Sequence, residues 1–219
     1  MEVCINMGIP VLLYGKSGSG KSRSLKNFAE DEVFLVNVIR KQLPFRKKFK
    51  YEYCTDSVEK IKAGLKKMPT KIAVIDDAGY LQTNQFMRGH SAPKYGGDSF
   101  KLYNHIADDI WGLFQFVKDE LPDDVIVYIV MHEEETDFGG VKLKTIGKLL
   151  DQKVCLEGMV TIALRCMSDG RRHYFRTQSD GTDVSKSPEE MFDLEIDNDL
   201  KMVDETIREY WNLGGNSND

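Results

Sequence analysis

The sequence has little cysteine, and its metal-binding residue types are not clustered. Its 219 residues include four cysteines and four histidines. Both kinds are scattered along the chain, and no C-x-x-C pair occurs. These features argue against a zinc site or a disulfide framework, so we expect free thiols in a reducing cytoplasm.

Long apolar runs and an excess of positive charge are also missing. No segment approaches the roughly 18 apolar residues that a membrane helix requires, and the N-terminus lacks the pattern of a signal peptide. The formal charge of −5, from 30 basic and 35 acidic residues, excludes a generally basic nucleic-acid-binding surface. It leaves room for a local basic patch. We therefore expect a cytoplasmic protein without membrane association.

The distribution of apolar residues predicts alternating strands and helices. At 41% hydrophobic residues, the chain can bury a core, and its length fits a single domain over 1–219. Nearly continuous apolar runs predict strands at 11–14, 33–39, 71–76 and 125–131, and helical spacing predicts helices at 21–30, 56–68 and 99–119. Continuous rather than alternating runs are typical of strands covered on both faces. The sequence therefore predicts an α/β fold with a mainly parallel central sheet flanked by helices.

The C-terminal third has a different pattern. Segments 160–167 and 172–178 flank an Asp-Gly turn and predict a β-hairpin, followed by a helix at about 199–212. We expect the core to cover about 9–192 and the polar tail 213–219 to lie outside it. Two glycine-containing segments, 82–98 and 132–147, are predicted to be long loops, which in a compact α/β domain are often functional.

The segment Gly15–Ser22 fits the pattern G-x-x-x-x-G-K-[ST] without a mismatch. An apolar strand precedes it and a helix is predicted after it, which is the context of a P-loop. Backbone N–H groups would surround the phosphates of ATP, Lys21 would contact the β- and γ-phosphates, and Ser22 would bind Mg²⁺. The predicted nucleotide-binding residues are Gly15, Lys16, Ser17, Gly18, Ser19, Gly20, Lys21 and Ser22.

Polar residues at the ends of two later strands complete the predicted site. Asp76 ends a buried strand and is predicted to join the Mg²⁺ shell, as a Walker B aspartate does. Asp77 is a candidate general base for the attacking water, although its side chain is shorter than the usual glutamate. His132 follows the next strand and could contact the γ-phosphate or orient the water. The alternative for His132 is a surface histidine beside the acidic residues 133–135.

The chain resembles bacteriophage-encoded P-loop ATPases of the RecA/AAA-like superfamily, including the Sak-type single-strand annealing and recombination ATPases. The resemblance rests on Gly15–Ser22, on 75–77 with Tyr80-Leu81, on 127–132, and on the later segments 146–151 and 185–188. It covers most of 9–192, and its specific part is the P-loop. It implies a RecA-like core, an ATPase that uses Mg²⁺, a homo-oligomer, and a role on single-stranded DNA with phage recombination or replication proteins in the bacterial host cytoplasm.

One departure from that family affects the chemistry. RecA-type proteins place a glutamate after the strand that follows the P-loop helix, whereas Arg40-Lys41 follows the predicted strand here. The catalytic base is therefore open, and hydrolysis that is weak or dependent on a partner is expected. The family also implies a cation donated by an adjacent subunit, with Arg176 and Lys186 as candidates. The alternative for both is a solvated surface charge.

A basic segment at 40–51 is an exception in this acidic chain. It contains six cations interleaved with three aromatic residues, whereas 183–219 contain eleven acidic and three basic residues. Cations that follow phosphates beside rings that stack on bases suit single-stranded nucleic acid. The candidate DNA contacts are Arg46, Lys47, Lys48 and Phe49. The alternative is a solvated loop that its aromatic residues anchor to the core, or that pairs with an acidic neighbour in an oligomer.

Two other functions remain compatible with the sequence. Nucleoside and nucleotide kinases also have an N-terminal P-loop at this length, although the segment 132–147 has none of the arginines that a kinase lid uses. A nucleotide-gated adaptor with negligible turnover is the third possibility. Stimulation of ADP formation by a small-molecule acceptor would favour the kinase, and stimulation by single-stranded DNA would favour the ATPase.

Overall fold

A mixed β-sheet lies at the centre of the protein. The computed structural model describes residues 7–96, 98–147, 151 and 154–214. Within them the sheet has nine strands. These are β1 (Ile9–Gly15), β2 (Val33–Asn37), β3 (Tyr51–Tyr53), β4 (Ile72–Asp76), β5 (Ile126–Glu135), β6 (Val141–Leu143), β7 (Ile162–Ser168), β8 (His173–Arg176) and β9 (Glu195–Asp197).

The strand order places the functional ends of the strands side by side. The order is β3-β2-β4-β5-β1-β7-β8-β9, and β6 pairs with β5. The first six strands are parallel, whereas β8 and β9 are antiparallel at one edge. Gly15 is in register with His132, and Asn37 is in register with Asp76. The carboxyl ends of β1, β2, β4 and β5 therefore meet at one edge of the sheet.

Helices cover both faces of this sheet. The α-helices are α1 (Val58–Leu65), α2 (Gly79–Gly89), α3 (Ser99–Glu120) and α4 (Leu200–Tyr210), and 3₁₀-helices lie at Ser22–Asn27, Pro93–Tyr95 and Glu157–Met159. One apolar cluster joins α1, α2 and α3 to the sheet, and a second joins α4 to the opposite face. The predicted α/β fold with a mainly parallel sheet is confirmed. None of the described helices has the length and hydrophobicity needed to cross a bilayer.

The packing of β1 explains why its sequence is apolar throughout. Leu12 and Tyr14 belong to the cluster under α1–α3, whereas Val11 and Leu13 belong to the cluster under α4. Alternate residues of a strand face opposite sides, so a strand between two helical layers needs apolar residues at every position. Burial of each such side chain contributes about 1.5–3 kcal/mol. This packing holds the end of β1, and the loop that follows it, in a fixed place.

The predicted helix at 21–30 is wrong in type and length. The segment forms only the short 3₁₀-helix Ser22–Asn27, and Phe28 is already extended. Within it, the Ser24 hydroxyl donates a hydrogen bond to the Lys21 carbonyl at 2.6 Å. A serine that bonds the backbone in this way competes with α-helical hydrogen bonding, which explains the tighter and shorter helix.

The two predicted long loops are also wrong. Most of 82–98 belongs to α2 and to the 3₁₀-helix Pro93–Tyr95. Its glycine at 89 lies against Leu102 of α3, where a Cβ would be only 2.6 Å from the nearest side-chain atom. This glycine therefore allows close helix packing rather than a loop. In 132–147, β5 continues to Glu135 and pairs with β6, because charged residues on an exposed strand end remain compatible with pairing.

The other predicted elements are confirmed within a few residues. The hairpin consists of β7 and β8, and the final helix is α4. The sequence analysis did not predict the three-residue strands β3, β6 and β9. Two predictions fall outside the described residues, namely 148–150, which contributed to the resemblance, and most of the polar tail at 215–219.

Candidate functional site

The loop after β1 leaves its backbone no room for side chains at two positions. A Cβ on Gly15 would lie 2.4 Å from the Cys166 carbonyl oxygen, and one on Gly20 would lie 2.8 Å from His173 Nδ1. Gly20 and Gly18 also have positive φ angles of 103° and 78°, which L side chains rarely adopt. At Gly18 the space is open. The loop therefore forms a close-packed backbone cradle with one open side.

Lys21 folds back over this loop. Its Nζ donates hydrogen bonds to the carbonyl oxygens of Gly15 at 2.8 Å and Lys16 at 2.7 Å. The side chain is buried, at 6% exposed, and burial lowers the pKa of its ammonium, opposed in part by the charge of Asp77. An ammonium whose hydrogen bonds go to neutral groups remains able to bind an anion that enters the cradle.

Ser22 and Asp76, the two predicted magnesium ligands, are joined by a hydrogen bond. The Ser22 hydroxyl lies 3.0 Å from Asp76 Oδ1 and 2.9 Å from Asp76 Oδ2, and it donates to this carboxylate. Asp76 is buried at the end of β4, and burial, with the charge of Asp77 next, raises the pKa of its carboxyl group. The carboxylate is short of compensating positive charge, which is the environment that a divalent cation would improve.

Asp77 is held in an uncommon backbone conformation. Its φ angle is +58°, a left-handed value that non-glycine residues adopt at a cost. The side chain is only 2% exposed, its Oδ1 lies 3.4 Å from His132 Nε2, and its Oδ2 forms an ion pair with Lys41 Nζ. Burial alone would raise the pKa of Asp77, but the hydrogen bonds with His132 and Lys41 outweigh it and lower the pKa. Asp77 is therefore ionised at neutral pH.

His132 lies between Lys21 and Asp77. Its Nδ1 is 3.4 Å from Lys21 Nζ, and its Nε2 faces Asp77. Since Lys21 has only donors, this arrangement favours Nδ1 as the acceptor from Lys21 and Nε2–H as the donor to Asp77. The edge of the ring packs against Tyr80, with ring centroids 6.1 Å apart. The structure thus brings Lys21, Asp77 and His132 together.

A cavity of about 270 Å³ opens over these side chains. Gly18, Gly20, Lys21, Ser22, Asp77 and His132 line it, together with three charged or titratable residues that the sequence analysis did not assign to the site, namely Arg23, Lys41 and His173. Lys41 lies in the basic segment 40–51, which the sequence analysis interpreted as a candidate for binding single-stranded nucleic acid. A rule that polar residues after a parallel strand face the site would have found it, because Lys41 follows β2.

Residues of the C-terminal strands form hydrogen bonds with the loop that makes up the cradle. His173 Nδ1 lies 2.8 Å from the Ser19 carbonyl oxygen, and the Cys166 thiol donates to the same oxygen at 3.1 Å. Asn198 donates to Cys166 Sγ at 3.2 Å and accepts from Arg23 at 3.1 Å. Burial raises the pKa of Cys166 to about 11, so this thiol is a neutral donor at physiological pH. No short-range sequence pattern signals these contacts, because the partners lie far apart in the chain.

A buried ion cluster lies on the other side of the cradle. Arg165 on β7 binds Glu133 through two hydrogen bonds, at 2.8 Å from Nε and 2.9 Å from an Nη. Its other Nη lies 3.2 Å from Asp183. The Arg165 side chain is 12% exposed, whereas those of Glu133 and Asp183 are 2% and 0% exposed. This cluster ties the end of β5 to β7 and to the C-terminal loop, directly beside His132.

The two candidate trans-acting cations do not line the cavity over Lys21 in the described part of the chain. Arg176 at the end of β8 lies 3.1 Å from Asp180 and 3.5 Å from Asp183. Lys186 pairs with Ala163 of β7 through two backbone hydrogen bonds of 2.8 and 2.9 Å. Both residues therefore sit beside β7, and their action on an adjacent subunit stays a prediction.

Some residues of the basic segment are buried or hydrogen-bonded within the protein. Phe49 is 5% exposed and belongs to the core under α4, so it is not available for base stacking in this conformation. Lys47 Nζ donates to the Lys26 carbonyl at 2.7 Å and also to that of Phe28. Arg46 and Lys48 are exposed. The structure thus gives Phe49 the anchoring role, and of the four candidate DNA contacts only Arg46 and Lys48 are exposed.

No protein-family model matches the chain, and no curated protein matches it.

Proposed function

We propose that the chain is a magnesium-dependent ATP-binding protein and ATPase with a P-loop and a RecA-like sheet. The observation that carries this proposal is the bond of the Ser22 hydroxyl to both oxygens of Asp76, with the Lys21 ammonium beside it on the loop carbonyls. A serine, a lysine and a buried aspartate from two separate strands would have little structural reason to converge on an open cradle. The strand that carries His132 lies between those two strands.

The residues present fit a nucleotide phosphate and a magnesium ion. Gly15 and Gly20 have no room for a Cβ, so the backbone itself lines the cradle, and Lys21 supplies the nearby charge. Ser22 and Asp76 are oxygen donors of the kind that Mg²⁺ prefers. The ion, when bound, would neutralise phosphate charge. Burial at the end of β4 raises the pKa of Asp76, and a divalent cation at this carboxylate would favour its ionised form.

Hydrolysis would use the remaining two groups of the site. The water oxygen forms a bond to the terminal phosphorus, and the bond to the bridging oxygen breaks with its electron pair leaving on ADP. The water proton passes to Asp77 and then to solvent, while His132 orients the water. Since the pKa of Asp77 is lowered, it is a weak base, and we expect slow intrinsic turnover.

The biological part of the proposal rests on the resemblance stated above. We propose a homo-oligomer that acts on single-stranded DNA in phage recombination or replication. Arg46 and Lys48 support it as exposed cations of the basic segment between β2 and β3, whereas the buried Phe49 does not contribute. Nothing in the described cavity favours a small-molecule acceptor, and the kinase and adaptor alternatives are left to the experiment.

The test measures nucleotide affinity and ATP turnover with and without single-stranded DNA. Lys21→Ala removes a charge-assisted contact worth about 1.5–3 kcal/mol, so ATP affinity should fall by about 10- to 150-fold. Asp76→Asn should retain the fold and lose Mg²⁺-dependent turnover. The controls are Lys66→Ala and Asp119→Asn, which alter exposed residues far from the site. Parental affinity in folded Lys21→Ala would refute the proposal.

The same assay separates the alternatives. ADP formation that rises only with an added nucleoside or nucleotide acceptor would identify a kinase. Tight ATP binding without turnover, in the presence and absence of DNA, would identify an adaptor. Turnover that rises with single-stranded DNA is the result that we expect.

A further inference from the structure

Lys41 lies four residues after the end of β2. Hydrogen bonds of its own backbone hold it over the site. The amide side chain of Asn37, at the end of β2, donates to the Lys41 carbonyl at 2.9 Å and accepts from the Lys41 N–H at 3.2 Å. Glu52 of β3 accepts from the same Asn37 amide at 2.8 Å, which fixes its orientation. Arg40 has a φ angle of +57°, so the chain turns sharply just before Lys41. The position of Lys41 is therefore set by buried hydrogen bonds and a tight turn.

The Lys41 side chain reaches from solvent into the site. It is 42% exposed, and its ammonium forms an ion pair with Asp77, which is 2% exposed. It lines the same cavity as Lys21, and its positive charge helps to lower the pKa of the Lys21 ammonium. Two ammonium groups that face one cavity repel each other, and the Asp77 carboxylate that pairs with Lys41 offsets part of that repulsion.

The two carboxylates near these ammonium groups also have other hydrogen-bond partners. Asp76 is engaged by Ser22, and Asp77 is shared by Lys41 and His132. Lys21 is the cation that the cradle itself supplies to the β- and γ-phosphates, and a terminal phosphate has further oxygens that a second cation could bind. Lys41 lines the same cavity from outside the loop Gly15–Ser22.

We propose that Lys41 is a second cation for the terminal phosphate, acting within its own subunit, and that it distinguishes a nucleoside triphosphate from a diphosphate. This inference rests on the proposed function. When no triphosphate is bound, Lys41 neutralises Asp77. When the terminal phosphate is present, Lys41 binds it, and Asp77 regains an oxygen for the attacking water. The departure from the RecA-type glutamate thus places a cation where those proteins place an acid.

The experiment compares the affinities of a non-hydrolysable ATP analogue and of ADP, each with Mg²⁺, by calorimetry. In Lys41→Met, the analogue should bind about tenfold more weakly or worse, while ADP affinity changes by less than about threefold. Lys41→Arg should retain most of the preference because it keeps the charge. Lys50→Met is the matched control, since Lys50 lies in the same basic segment but contacts the Tyr51 ring.

A double variant separates a direct contact from a balance of charge. If Lys41 acts only by neutralising Asp77, then Lys41→Met with Asp77→Asn should restore the parental preference for the analogue over ADP. If Lys41 binds the terminal phosphate, the double variant should still lack that preference. The double variant also has no unpaired Asp77 charge, so it tests the proposal even if the single variant folds poorly.

The outcomes distinguish this inference from the proposed function. Parental protein that binds neither nucleotide refutes both. Parental protein that prefers the analogue, with the same preference in Lys41→Met or a preference restored in the double variant, refutes the role of Lys41 alone. Loss of the preference in both variants, with Lys50→Met unchanged, supports it.

Discussion

Replacement of Arg165 by methionine tests the buried ion cluster beside the site. Methionine keeps the length of the side chain and removes its charge, so Glu133 would lose its ion-pair partner and Asp183 would keep only the longer contact with Arg176. Both carboxylates are almost fully buried, and removal of one partner from a buried ion pair costs about 3–5 kcal/mol. Since domains of this kind are stable by about 5–15 kcal/mol, the variant should lose a large share of its stability.

The assay is urea unfolding of the parent and of Arg165→Met at pH 7. Arg172→Met is the control, because Arg172 pairs with Glu195 on the surface, where side chains are 57% and 43% exposed. An exposed pair contributes at most about 1 kcal/mol, so the control should unfold almost like the parent. Adding Glu133→Gln to Arg165→Met should recover part of the loss, since one unpaired charge is then removed.

The pH dependence of this loss has a definite sign. Burial alone would raise the pKa of Asp183, but hydrogen bonds from Ser185 and Arg165 outweigh it and lower the pKa. In the parent, the stability that Asp183 contributes is present above the ordinary pKa of about 3.9 and is lost as the pH falls through the lower folded value. Without Arg165 the pKa of Asp183 should rise, so the gap between parent and variant should narrow as the pH falls from 7 towards 4.

Two results would refute this reasoning. The first is a loss of less than about 1 kcal/mol in Arg165→Met at pH 7, equal to that of the surface control. The second is a gap between parent and variant that widens as the pH falls. Either would mean that water or a rearranged loop compensates the two carboxylates.

Three further variants test other parts of the structure. Gly15→Ala should lower the free energy of unfolding by about 1–3 kcal/mol more than Gly18→Ala, because only the former places a Cβ against backbone atoms. Arg46→Gln with Lys48→Gln should weaken binding to single-stranded DNA and reduce its salt slope by up to about 0.7 per phosphate contact, as measured by anisotropy titrations. Lys186→Ala should reduce ATP turnover per subunit in the assembled protein while leaving ATP affinity unchanged.

These variants have matched controls and clear contrary results. Lys60→Gln with Lys67→Gln removes the same charge from exposed positions of α1 and just after it. Equal DNA affinity and salt slope in both double variants would exclude the basic segment as the DNA site. Parental turnover in Lys186→Ala would exclude its role in trans, and equal unfolding free energies for the two glycine variants would show that the loop can move away from Cys166.

The sequence predicted the parts of the fold that depend on local patterns. The continuous apolar run of β5 and the helical spacing of α3 each reflect burial, which periodicity reports directly. It failed where short contacts decide the structure, as in the serine-rich segment after Lys21, which forms a 3₁₀-helix. It also failed at α2, where a glycine that suggests a loop instead allows the close approach of two helices.

The residues of the candidate site also fall into two groups, those that local sequence patterns predict and those that they do not. Lys21, Ser22 and Asp76 could be predicted because their spacing and flanking strands follow from the chemistry of phosphate binding. Lys41 was missed although it follows β2, and His173 could not be predicted because the strand order that brings it to the cavity is a property of the whole sheet. Phe49 shows the reverse case, in which an aromatic residue among cations is buried in the core.

The support of the cradle by His173, Cys166 and Asn198 has a consequence for the order in which the protein is synthesised. Ser19 and Arg23 leave the ribosome early, whereas their partners follow about 150 to 175 residues later. The glycine-rich loop therefore cannot reach its final packing until translation has almost finished. A chain that stops before Asn198 would contain the entire motif that suggests nucleotide binding and would still lack the contacts that hold it in shape.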